Sequence, residues 1–508
     1  MNRHTISKSL ILLITALAAV QVQTRAAVRL PHILGDNMVL QRGVPLPVWG
    51  WADPGEQITV CFADHEAGTK ADAEGKWKVT LPAAKSGGPY EMTISGKNTL
   101  KLTNILVGEV WICSGQSNMA WSVGGSRNGK TAIPAEGYPQ MRLFKIPKTA
   151  CGTPMPDVEA SWQPCIGRDA RKFSAVGFYF GREIQVKLEV PVGLIQAAWG
   201  STPIEAWTPR EGFSSVPELK DIVKQIDQAD AEYRKEVFTL LDGLEAWVRA
   251  AKKAREQGGS IPSVPNFPQH PFARRSGTTG PWNGMVNPLI PFAIRGVIWY
   301  QGEYNVGGAA TYYHKMKALI GGWRSAWNQE DVPFYFVQLA PHTSGSRTAI
   351  PEMWEAQTAA LAIPGTGMAV IHDLVENPRN IHPRNKLDVG KRLALWALAR
   401  TYNRKNVVCS GPLFESMAVD EGKIRISFKH VGSGLATRDG KAPDWFEVAG
   451  ADKKFVKAQA RIDGNTVLVW SEKVPAPVGV RYGWHKLAQP NLINKEGLPA
   501  SPFRTHRR

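Results

Sequence analysis

Four short stretches carry side chains that could do chemistry together: Ser117 in ICSGQSNM, Gly200 in WGSTPIEAW, Gln301 in WYQGEYN and His382 in NIHPRNK. A serine hydroxyl is a weak nucleophile at neutral pH and needs a base within hydrogen-bond reach. Histidine, which titrates near neutrality, suits that role. Attack on an ester carbonyl puts negative charge on its oxygen, and preorganised donors must meet that charge. The N–H of Ser117, the N–H of Gly200, where no side chain blocks approach, and the side-chain amide of Gln301 are suitable donors. The set describes acyl transfer to water. Singly, each residue has a bland reading: a loop serine, a turn glycine, a histidine bonded in the core or at the surface. Their joint placement gives the sharper one.

That placement comes from the elements before them. Each motif follows an apolar run: EVWIC, VGLIQAA, RGVIW and GMAVIHDL. Between the runs lie helix-like patterns such as SAVGFYFGREIQVKL and YYHKMKALIGGWRSAW. Such alternation predicts parallel βαβ units in a three-layer α/β sandwich, in which ligands collect outside the carboxyl ends of the strands. His372, inside GMAVIHDL, is a competing histidine whose apolar setting favours burial.

Short β-like runs (LPVWGWA, QITVCFA, KWKVTLP, YEMTISG) predict a β-sandwich-like region over 27–106, before the α/β region at 107–402. The β pattern returns over 403–508. An insert at about 211–280 contains the charged stretch 215–257, read as a solvated helical hairpin, with a lid or substrate-shaping arm as the alternative. Residues 1–26 carry Arg3 and Lys8, an apolar run from Leu10 to Val20 and a small-residue site near Ala26. They read as a signal peptide, which makes the mature protein secreted or periplasmic, and no later segment predicts a membrane span.

With 43% hydrophobic and 21% charged residues, disorder is excluded. The net charge of +17 is scattered without a basic tract or recognition motif, so no nucleic-acid partner is expected. Of five cysteines, Cys151 and Cys165 are the plausible disulfide pair, and Cys113 reads as a small core residue. CxxC, HExxH and paired-histidine signatures are missing, so no metal is expected. Eighteen tryptophans would suit sugar stacking as well as core packing, and Arg210 and Arg295 are candidate partners for an anionic substrate.

The stretches GEVWICSGQSNMAW (108–121), WGSTPIEAWT (199–208), NGMVNPLIPFAIRGVIWYQGEYN (283–305) and IHPRNKLDVGKRLALWAL (381–398) resemble the sialate O-acetylesterase family and related acetylxylan esterases. So does the closing RYGWHKLAQPNLINKEGLPASPFRT. The resemblance implies an SGNH-type hydrolase core flanked by N- and C-terminal all-β domains, releasing acetyl groups from glycans without metal or organic cofactor. It places the nucleophile on Ser117, the base on His382, and the oxyanion donors on Ser117, Gly200 and Gln301. Asn283, Gly284 and Met285 match a motif that supports the wall of the site.

Three positions depart from the family pattern. Asn380 stands where relatives carry an acidic residue before Ile-His-Pro, Tyr304 where serine is frequent, and Ser201 where glycine is common. The group that orients His382 is then Asn380 itself or a carboxylate such as Glu303, Glu376 or Asp373, unless serine and histidine work as a dyad. An acetylxylan or other neutral-glycan acetylesterase is the alternative reading. A non-catalytic glycan-binding protein is the alternative of another class, and nothing signals a peptidase.

Overall fold

The computed structural model describes residues 27–134 and 137–506, so the leader read at 1–26 lies outside the described residues. Strand β1 (Val39–Gln41) is followed by β2 (Leu46–Trp51), β3 (Gln57–Phe62), β4 (His65–Lys70), β5 (Lys76–Leu81) and β6 (Gly87–Ser95). In β2, β3 and β5 burial alternates residue by residue, as strands with one wet face require. Then comes β7 (Thr99–Gly115), whose first six residues are exposed or half-buried while all the rest are buried. Its first part pairs with β6 and its middle with β1; its second part becomes the centre of the α/β sheet. Positions 106 and 107 therefore lie inside one unbroken strand, with a continuous hydrophobic core on both sides.

After β7 follow the helical turn α1 (Ser117–Ala120), β8 (Tyr138–Lys145), β9 (Trp162–Cys165), α2 (Ala175–Leu188) and β10 (Val192–Ala198). Beyond α3 (Lys220–Glu256) come β11 (Gly296–Tyr300), α4 (Ala309–Trp327), β12 (Phe334–Val337), α5 (Ala349–Ala359), β13 (Thr366–Ala369) and α6 (Lys386–Trp396). The sheet order is β13-β12-β11-β7-β10-β8-β9, parallel throughout except for β9. From β7 the chain builds outward first on the β10 side and then on the β11 side. This makes the carboxyl end of β7 the topological switch point. Gly115 lies level with Ala198 of β10 and Tyr300 of β11, so the three following loops leave the sheet together.

The insert differs from the expected hairpin. Its charged stretch is one 37-residue helix, α3, because nothing between Lys220 and Glu256 forces a reversal and the solitary Gly243 sits in open space. Only Ile226, Ala229 and Leu240 are buried along it. Cys151 and Cys165 are both free thiols; Cys165 is buried, and burial pushes its thiol up to about 12. Beyond Leu413 the chain forms two four-stranded antiparallel sheets around a separate core that includes Ile424, Val469 and Tyr482. No helix among the described residues is long and apolar enough to cross a membrane.

One polar cluster clamps the entry side of β7. Glu109, fully buried, takes hydrogen bonds from Arg42 Nε at 2.5 Å, Arg295 Nε at 2.8 Å and the Tyr402 hydroxyl at 2.9 Å. Removing the carboxylate leaves two guanidiniums facing each other without a counter-ion. Because both arginines are about a third exposed, the loss expected for Glu109→Ala is about 3 kcal/mol, below that of a fully buried pair. Urea titration checks it: an unchanged midpoint would reject the clamp.

Candidate active site

The turn that carries Ser117 is shaped by what Gly115 lacks. At φ +135° it adopts a conformation that favours glycine, and a Cβ there would collide with the Tyr300 carbonyl. Gln116 then donates its N–H to that carbonyl at 3.0 Å, and α1 begins at Ser117. Ser174 secures the turn from the other side. Its hydroxyl donates to the Met119 carbonyl at 2.6 Å while accepting the Gly177 N–H that caps α2.

His382 Nε2 stands 2.8 Å from Ser117 Oγ. The loop bearing it is docked on segment 125–127: the Arg127 N–H reaches the Arg384 carbonyl at 2.8 Å, Arg384 Nε reaches the Gly125 carbonyl, and Arg127 pairs with Glu376. Trp121 stacks on the imidazole, with centroids 5.0 Å apart and planes 24° apart. Desolvation, and then the Lys386 ammonium, hold the His382 pKa below its ordinary 6.5, so the ring stays neutral and basic into mildly acidic solution.

The expectation of an orienting partner is corrected. Asn380 Oδ1 accepts the backbone N–H of His382 at 2.9 Å, which shapes the loop and not the ring. Glu376 pairs with Arg127, Asp373 binds Arg392 through both oxygens at 2.6 Å, and Glu303 binds Asn118. Among the described residues no carboxylate is bonded to the His382 ring. His372 is buried against the Ala500 carbonyl at 2.9 Å, and desolvation lowers its pKa to about 4.

The oxyanion set is corrected at one position. The N–H of Ser117 opens a helical turn, and neither it nor the Gly200 N–H has an acceptor among the described residues. Gly200 lies against the serine: a Cβ on it would stand 3.2 Å from Ser117 Cβ. Gln301, by contrast, is fully buried. Its Nε2 donates to the Thr202 carbonyl at 3.1 Å and to Asn305 Oδ1 at 2.7 Å, and its Oε1 accepts the Tyr312 hydroxyl. Both amide hydrogens are taken, so Gln301 braces the loops after β10 and β11 and is not free to meet an oxyanion. Asn283 similarly holds a neighbouring segment, donating to the carbonyls of Cys151 and Gly152.

One group escaped the sequence reading. Lys386 is fully buried, and its Nζ donates to Asn118 Oδ1 at 2.5 Å. Asn118 Nδ2 in turn donates to Glu303 Oε1 at 2.5 Å and to the Ile381 carbonyl, next to His382, at 2.9 Å. The residue after Ser117 thus holds the histidine loop, while a buried lysine and a half-buried glutamate fix the direction of its amide. Burial works against both charges, raising the Glu303 pKa and lowering that of Lys386 to about 7. The available signal was a lysine on the apolar face of α6, in line with the buried Val389, Gly390 and Leu393.

No group of three or more His, Cys, Asp or Glu among the described residues could hold a metal ion. What the geometry offers is a hydroxyl, a neutral base and two unbonded N–H groups at a switch point. The fold around it matches a solved carbohydrate acetylesterase from Xanthomonas citri with a TM-score of 0.80 and 36% identity, covering 95% of this chain and all of that one. The chain is a carbohydrate esterase. The family model described as "Carbohydrate esterase, sialic acid-specific acetylesterase" matches residues 107–241 and 282–399. The sialate O-acetylesterase of Rattus norvegicus is 31% identical over 445 residues, 79% of each chain. That of Homo sapiens is 30% identical over 432 residues, 77% of this chain and 74% of its own. The chain belongs to the sialate O-acetylesterase family.

Proposed function

We propose that the protein is an exported carbohydrate O-acetylesterase with an SGNH-type core, acting on acetylated sialosides. Ser117 attacks the acetyl carbonyl and His382 takes its proton, then returns it to the sugar oxygen as that bond breaks. Water, activated by the same imidazole, releases acetate from Ser117. The N–H groups of Ser117 and Gly200 meet the oxyanion. The observation that carries this reading is the 2.8 Å contact between His382 Nε2 and Ser117 Oγ beside those unbonded donors. His382 works here without a carboxylate partner, as half of a dyad.

Arg295 and Arg210, the sequence candidates for a sialate carboxylate, are paired with Glu109 and Asp227. Arg379 and Arg384, exposed on the histidine loop, are better placed to meet an anionic sugar. Acetate release from 9-O-acetyl sialosides, acetylxylan and acetylated pectin tests the assignment. Sialosides are expected to give the highest kcat/KM, with Arg379→Ala raising KM for them about 10-fold. A preference for acetylxylan that Arg379→Ala leaves untouched would move the substrate to a neutral glycan.

A further inference from the structure

Trp445 opens the strand Phe446–Ala449 of the C-terminal sheets with 39% of its surface exposed and φ +60°, a left-handed conformation unusual for a bulky side chain. The backbone is held there from several sides. Gly483 donates to the Trp445 carbonyl at 3.0 Å. Asn491, buried, exchanges hydrogen bonds with Asp444 at 2.9 and 3.1 Å and donates its amide to Asp439 and to the Ala442 carbonyl. The indole lies near-parallel to His485, with centroids 5.9 Å apart. It faces a cavity of about 370 Å³ walled by Trp484 and rimmed by Asp444, Glu447 and Arg347. Glu447 is shared between Arg347 at 3.4 Å and Arg481 at 3.6 Å, so the rim charges largely offset one another.

A path of hydrogen bonds runs from the wall of this cavity to the loop that carries His382. Lys486, beside His485, donates through Nζ to the carbonyls of Thr343 and Gly345 at 2.7 Å each. Thr343 donates its N–H to the Pro378 carbonyl at 3.0 Å, on the loop that carries His382. A strained residue persists where its surroundings over-determine it, and such strain gathers at ligand clamps. An exposed, preorganised indole beside carboxylate and guanidinium groups matches a sugar ring, whose C–H face is apolar and whose edge presents hydroxyls.

We propose that Trp445 is the platform of a second glycan-binding subsite, which takes an uncharged sugar ring of the chain whose acetylated residue lies at Ser117. This rests on the esterase reading above, and the experiment separates the two. Full-length protein is run in native gels containing soluble xylan, galactoglucomannan or desialylated mucin glycans, and each variant is assayed with 4-nitrophenyl acetate. At least one glycan is expected to retard the wild type, and Trp445→Ala to weaken that retardation about 10-fold while 4-nitrophenyl acetate turnover stays within about twofold. Trp445→Gly suits the backbone angle, so it loses the retardation without a fall in Tm, whereas a structural tryptophan would lower Tm. No retardation of the wild type by any of the three, or equal retardation of wild type and Trp445→Ala, overturns the subsite. Loss of 4-nitrophenyl acetate turnover in the wild type would instead overturn the esterase reading and leave the gels to be judged alone.

Discussion

Ser117→Ala is expected to lower acetate release by about 10⁴-fold or more while leaving Tm within a few degrees. His382→Ala is expected to do the same. The reason is in the contact: Nε2 is the nitrogen that reaches the hydroxyl, and the proposed base role needs it bare, with the imidazole proton on Nδ1. On the proposed mechanism, removing either partner removes the one proton transfer of the dyad. The double variant Ser117→Ala/His382→Ala should be no slower than either single one, since residues that act as a unit are not additive. Turnover of 4-nitrophenyl acetate by wild type and variants, with circular dichroism to confirm the fold, decides it. Equal turnover by Ser117→Ala and wild type would remove the nucleophile assignment outright, and multiplicative losses would show that the two residues act separately.

The same contact shows how far the sequence could be read. Ser117 was visible because it ends an apolar run, and strand ends at a switch point converge whatever the details of packing, whereas His382 lies thirteen residues beyond the edge strand β13 and reaches the serine on its own loop. Gly200 was visible for the same reason as Ser117. Gln301 sits at the right strand end, yet its role turned on which acceptors lie around its amide. Asn305, four residues on, and Thr202, on another loop, take both hydrogens, and neither bond leaves a mark on composition or spacing. The acidic partner expected for His382 is missing for a similar reason. Acidic residues stand nearby in sequence, but Glu376 and Asp373 are each claimed by an arginine, Arg127 and Arg392, that only the fold brings close. For α3, charge and periodicity identified the helix, but a hairpin needs a turn signal and Gly243 alone is not one. Lys386 was hidden by the ordinary expectation that lysine faces water.

Lys386→Met is expected to damage both stability and catalysis, and for separable reasons. With the ammonium gone, the half-buried Glu303 keeps the Asn118 amide as its hydrogen-bond partner but loses the positive charge beyond it. Its second oxygen already lacks a hydrogen-bond partner among the described residues. Removing one charge of this couple, which Asn118 bridges, costs about 2 kcal/mol, less than breaking a direct buried pair, whereas Lys386→Met/Glu303→Gln removes both charges and should recover most of the loss. Catalysis suffers through Asn118, whose amide is held in place by Lys386 and itself holds the Ile381 carbonyl next to His382. A loosened histidine loop is expected to lower kcat about 10- to 100-fold, with KM for 4-nitrophenyl acetate little changed. The pH profile adds a reading that loosening alone would not give. Desolvation and then the positive Lys386 disfavour imidazolium, so in the wild type the acid limb of kcat/KM lies below the ordinary histidine value of 6.5. That field acts where it matters, because Lys386, with a pKa of about 7, is charged on the acid side of neutrality where His382 titrates. Deleting the cation removes the lesser of the two causes that depress His382, with desolvation remaining, and the acid limb moves part of the way to higher pH. A limb that stays in place in Lys386→Met would leave the lysine with a role in packing alone.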